Sequence, residues 1–262
     1  MATFFAIARM AFFKEAFYRF ELLFNALRAV VFVVVIASIW RVVYQNQPAI
    51  GGFTLDQVIL YTCAAATLTL LFEVNLEREM GDRMRTGDFA LQLLKPVHYF
   101  VYNLAVGWGT VAFTFVFSAL PTVVVLALLF DLPALTIADL GIGLLMTALG
   151  FTLFFLFCHL TALTTFFTVE SWAVEYMRTT TVRFFAGAFL PLTFFPDPLY
   201  RASLWLPFPY MIYYPARTLT GQPAGDSAGS VLALQALWCI ALVAANHVYG
   251  RLIVRRITIH GG

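Results

Sequence analysis

Long apolar runs alternate along this chain with short segments that hold almost all of its charge. Crossing the hydrocarbon of a bilayer takes ~20 mostly apolar residues. Backbone polar groups find no water there, so each crossing segment must satisfy its own hydrogen bonds as a helix. Six runs are candidates: Leu22–Tyr44, Leu55–Leu76, Tyr99–Phe130, Ile137–Phe167, a fifth around Phe184–Phe195, and Ser230–Tyr249. The fifth is too short alone and has to borrow from the T-T-T-V segment before it. Hydrophobic residues make up 61% of the chain and charged residues 11%, against roughly 25% charged in soluble domains. A mean hydropathy of +0.85 cannot be hidden inside one soluble core of this length. The expected fold is all-α: a polytopic membrane protein with six transmembrane helices forming one domain over residues 1–262.

Both ends of this plan carry extra structure. Residues 1–20 place Phe5, Ala8, Phe12, Phe13, Ala16 and Phe20 on one helical face, with Arg9, Lys14, Glu15 and Arg19 mostly elsewhere. That pattern predicts an amphipathic helix in the membrane interface. No signal-peptide pattern is evident there. Pro121 predicts a kink in the third run. Residues 187–217 break at Pro191, Pro196, Pro198, Pro207, Pro209 and Pro215, so they cannot form one straight helix. Short re-entrant or interfacial helices between spans five and six are expected instead.

Charge orients the chain. With a cytoplasmic N-terminus, every Lys and Arg except Arg41, Arg201 and Arg217 falls on the cytoplasmic side, as the positive-inside rule requires. An even number of spans returns the C-terminus to that side. The expected location is the cell membrane, multi-pass, with both termini cytoplasmic.

Two polar segments face the cytoplasm in this arrangement. In residues 77–96, Glu77, Glu79, Asp82 and Asp88 mix with Arg78, Arg83, Arg85 and Lys95. Asp88 can N-cap a short helix carrying Phe89, Leu91, Leu93 and Leu94, closed by Pro96. Such a helix suits a groove on another protein. Spacing alone equally allows the leucines to pack on the membrane surface. Glu170 to Arg183 reads as a second solvated loop.

R-M-R-T-G-D-F-A-L-Q-L-L-K-P-V, ending at Val97, resembles the first cytoplasmic loop of type-2 ABC-transporter (ABC-2 type) permeases. Gly187 to Tyr210, G-A-F-L-P-L-T-F-F-P-D-P-L-Y-R-A-S-L-W-L-P-F-P-Y, resembles the same family's pattern after span five. The resemblance implies a permease subunit working with separate ABC ATPase subunits and a second permease subunit, the same chain or a related one. It implies that ATP and Mg are bound by the partner subunits and no cofactor by this chain. It makes Asp82 to Leu94 the coupling helix, with Arg83, Arg85 and Asp88 as polar contacts and Phe89, Leu91 and Leu94 as apolar anchors. Glu170 and Glu175 become a second ATPase contact. Export is the family's habit.

The residues exclude other classes. Neither lysine, Lys14 or Lys95, belongs to a phosphate-binding loop, so the chain is not expected to be an enzyme. It has no protease or hydrolase motif, and no basic stripe interleaved with aromatics for nucleic acid. Cys63, Cys158 and Cys239 lie in apolar runs and read as packing residues. Glu73 and His159 are the ionisable residues a gradient-driven transporter would use. Glu73 reads more simply as a residue at the end of a span, and His159 as a hydrogen-bonding partner of a neighbouring helix. A secondary transporter and a non-transporting membrane scaffold remain the alternative readings.

Overall fold

The computed structural model describes residues 2–15, 19–86, 97–168, 170–222 and 227–254, with backbone only for 19–29, 253 and 254. The described residues are helical apart from turns and one isolated bridge, Ile50 to Phe53. In order they form α1 (Ala2–Glu15), α2 (Arg19–Val43), α3 (Leu55–Leu71) and α4 (Leu76–Thr86). There follow α5 (Tyr99–Thr114), a π-helical turn (Phe115–Ala119), α6 (Leu120–Leu129) and α7 (Ile137–Ala162). The last elements are α8 (Ser171–Phe185), α9 (Asp197–Leu204), α10 (Tyr213–Leu219) and α11 (Ala228–Val254).

Stretches 55–86, 99–129, 137–166 and 228–252 are long and apolar enough to cross a membrane, and Val30–Val43 adds a shorter apolar helix. The chain is thus a helical, multi-pass membrane protein. The helix starts are chemical. The Gln57 side chain accepts from the Thr54 backbone N–H at the start of α3. Thr136 and Asp139 exchange hydrogen bonds at the start of α7, a reciprocal cap. The bend expected at Pro121 is a π-turn just before it. Proline has no N–H to return to the preceding turn, and Thr122 donates its hydroxyl to the Ser118 carbonyl there.

Helix α3 is central. Val58, Ile59, Tyr61, Cys63 and Ala65 along it are buried, and α2 and α10 pack against it. Outward faces of α2, α6 and α11 expose Val34, Ile39, Val124, Leu128, Leu237 and Ile240, the dressing of a lipid-facing surface. Polar side chains knot the inside. His159 Nδ1 lies 2.8 Å from Asn246 Oδ1, joining α7 to α11 as expected for His159. Gln235 Nε2 donates to the carbonyls of Met146 (2.9 Å) and Tyr210 (2.8 Å).

Helix α1 packs lengthwise on α5. Gly109 meets Ala8 and Ala11, and Phe12 meets Phe113 and Phe117. Its contact face is therefore built on small residues and one ring. Phe5, Met10 and Phe13 remain exposed.

Two sequence expectations need correction. Residues 170–183, read as a solvated loop, are mostly the body of α8. Its Ser171, Arg178 and Val182 recur at helical spacing and are buried, so a polar composition concealed a packed face. The apolar run Phe184–Phe195, expected as the core of span five, is not a helix. α8 ends at Phe185, and Gly187 takes φ +69°, a conformation glycine adopts without strain. Tyr61 Oη donates to the Gly187 carbonyl at 2.8 Å, pinning the turn to α3. Past it, the proline-rich stretch folds as short pieces: 3-10 turns at Leu192–Phe194 and Phe208–Tyr210, and helices α9 and α10.

Candidate functional site

A buried polar cluster sits where α4 meets the end of α7 and the body of α8. Helix α4 is amphipathic: Leu76, Glu77, Met80 and Gly81 face inward, while Asp82 and Arg85 are exposed. Gly81 is required by the crossing with α8, because a Cβ there would lie 2.7 Å from Ser171 Oγ.

Glu77 is completely buried and is met by three side chains from two helices. Arg178 Nε of α8 donates to its Oε1 at 2.5 Å. Thr161 Oγ1 of α7 donates to the same oxygen at 2.7 Å. Cys158 Sγ of α7 lies 3.4 Å from Oε2. Arg178 also donates through Nη2 to the Val74 carbonyl at 3.2 Å and lies over the Phe154 ring. A second pair, Arg78 to Glu175 at 3.1 Å, bridges α4 and α8 nearer the surface.

The physical content of these two pairs differs. Desolvating both ions is expensive, and a buried pair is tolerable only when its remaining lone pairs and protons are also satisfied. Glu77 and Arg178 meet that condition. The Arg78 side chain is 61% exposed, and such a pair contributes little. The inner pair therefore fixes how α4 sits against α7 and α8.

The expected coupling residues divide accordingly. Asp82 is exposed on α4. Arg83 turns back to Glu79 at 3.2 Å. Arg85 is exposed in the last turn. Asp88, Phe89, Leu91 and Leu94 lie outside the described residues. Glu175 is engaged with Arg78, and Glu170, just before α8, accepts from Trp172 Nε1 at 2.6 Å. Trp172, Tyr176 and Met177 are exposed on α8 beside them. Glu73 lies in the break between α3 and α4 and is exposed, as expected of a residue at a span end.

Glu77 and Arg178 were not identified as a site from sequence. They are 101 residues apart, and each sits in a segment that reads as solvated. One signal was present: Glu77 shares a helical face with Met80 and Gly81, between apolar neighbours.

The sequence profile of the ABC-2 family transporter proteins matches residues 10–261; the chain belongs to that family. No curated protein and no solved structure is found to match it. Membership makes the chain the permease component of an ABC transporter and implies ABC ATPase subunits as its partners.

Proposed function

We propose that the chain is the permease subunit of an ATP-driven exporter and that α4, with the residues following it, is its coupling element. Two permease subunits, identical or related, would form the pathway in the cell membrane. Separate ATPase subunits would bind ATP and Mg and dock on the cytoplasmic side, where both termini lie.

The observation that carries this reading is the two-faced geometry of α4. Its inner face is tied to α7 and α8 by a buried, fully partnered ion pair. Its outer face leaves Asp82 and Arg85 exposed. A helix anchored this way moves with the bundle and still offers a docking surface. In this reading Arg83 and Asp88 add polar contacts, and Phe89, Leu91 and Leu94 fill a groove on the ATPase. Glu170 and Glu175, with exposed Trp172 and Tyr176, form the second contact.

The test is co-purification from native membranes under mild detergent, wild type beside Leu91→Asp/Leu94→Asp. The wild type should bring an ATPase subunit with it. The double variant should lose at least about tenfold of that subunit, because two buried anchors become charges at an interface core. An equal yield of ATPase with both chains contradicts the coupling assignment. Its absence from both contradicts the transporter reading.

A further inference from the structure

We infer that Arg183 is the anchor of a binding site for an anionic amphiphile, a molecule with one negatively charged group and an apolar body. The inference deepens the transport reading by naming a substrate class, and it rests on that reading only for the word substrate.

The site is a cavity of about 320 Å³ between α2, α3, the π-turn and the end of α8. The walls on α2, α3 and the π-turn are contributed at helical spacing. Phe32 and Ile36 come from α2. Thr62, Ala66, Thr69 and Leu70 come from α3. Ser118 and Thr122 come from the π-turn and the start of α6, and Arg183, Ala188 and Phe189 from the end of α8 and the turn beyond it. π-turns inside helices cluster at functional sites.

The chemistry of the lining is one-sided. Thr62, Thr67, Thr69 and Thr122 donate their hydroxyl protons to carbonyls of their own helices, at 2.7–2.8 Å. These hydroxyls keep no free proton for a ligand. Arg183 is the charged donor of the lining. It carries a full charge and five N–H donors, is exposed on the single chain, and forms no ion pair among the described residues.

Arg183 stands in the last turn of α8 and shares the cavity wall with Thr62 to Leu70 of the apolar helix α3. A cation set against so apolar a lining is a candidate ligand anchor. A second, smaller cavity of about 100 Å³ also has Thr69 and Arg183 in its wall and continues toward Glu73, Asn75 and Glu175 at the α4–α8 junction. Arg183 therefore stands between the coupling junction and the apolar cavity. A carboxylate, sulfate or phosphate would pair with its guanidinium, and an alkyl or aromatic body would lie against Phe32, Ile36, Leu70 and Phe189.

The test uses the purified chain in phosphatidylcholine nanodiscs. The probe is 11-(dansylamino)undecanoic acid, and the comparison is the dansyl amine of equal length. The acid should bind with enhanced emission, and the amine at least about tenfold more weakly, the difference one charge-assisted pair supplies. Arg183→Gln should weaken the acid about 10- to 100-fold and leave the amine unchanged, while Arg183→Lys keeps most of the affinity. Ala66→Trp, which fills the cavity without touching the charge, should remove both ligands. Competition by phosphatidylglycerol added to the nanodisc identifies a bilayer lipid as the natural anion, and failure to compete identifies a free amphiphile.

Equal binding of acid and amine overturns the inference. So does an Arg183→Gln chain that keeps the acid but changes from dimer to monomer, since Arg183 would then serve a second copy. The same preparations are scored for ATPase co-purification. A chain that binds the acid but carries no ATPase keeps the site and loses the transport reading. A chain that carries ATPase but does not distinguish the probes loses only the site.

Discussion

Arg178→Met should cost about 3–5 kcal/mol, the penalty for leaving one member of a buried ion pair without its partner. Glu77 is completely buried and Arg178 nearly so, so no water can replace the lost guanidinium. Thr161 and Cys158 stay in place but bring no charge. The readout is the thermal midpoint of the detergent-solubilised chain, followed by size-exclusion fluorescence.

Glu77→Gln/Arg178→Met should recover most of the loss, because both charges leave together and the amide can still accept from Thr161. Arg78→Met, at the exposed pair, should change stability by no more than about 1 kcal/mol. If Arg178→Met and Arg78→Met behave alike, the junction is not the mechanical tie described above.

Gly150→Val should be nearly as damaging, through shape instead of charge. A Cβ at Gly150 would lie 2.6 Å from the Met211 carbonyl oxygen and 3.3 Å from that of Tyr210. These are backbone atoms and cannot rotate away. Gln235 holds the same crossing by donating to Tyr210 and Met146. The whole segment from Phe208 to Leu219 would have to lift off α7. Overpacking of this kind costs about 1–3 kcal/mol, and a clash with backbone belongs at the upper end. Gly141→Ala on the same helix meets nothing within 4 Å, and should gain up to about 1 kcal/mol of helix propensity. Equal midpoints for the two variants would contradict the packing of the Phe208–Met211 segment on α7.

What could be read in advance follows from the physics of lipid. Apolar length requires a helix, so α2, α3, α5 with α6, α7 and α11 lie close to the runs marked by hydropathy alone. Pro121 announced its own irregularity, and the prolines after Gly187 announced short pieces. The errors arise where tertiary partners decide. Composition treats Glu170 to Arg183 as solvated because it cannot know that Arg178 has a buried acid waiting on α4. It treats Phe184–Phe195 as a span because apolar content hides the turn at Gly187, which depends on Tyr61 of α3. The cavity at Arg183 is an intermediate case. Thr62, Ala66 and Thr69 share one helical face, as do Ser118 and Thr122, and these spacings are visible in the chain. That the faces converge on one arginine is not.

The central claim is that the outer face of α4 meets an ATPase. The most direct measurement places a photo-crosslinking benzoylphenylalanine at Arg85 in native membranes, with a second chain labelled at Asp197, beyond the Gly187 turn. The account expects an adduct between position 85 and an ATPase subunit, sensitive to added nucleotide, and no such adduct from position 197. Adducts from position 85 to lipid or to this chain alone, or an ATPase captured equally from position 197, would contradict it.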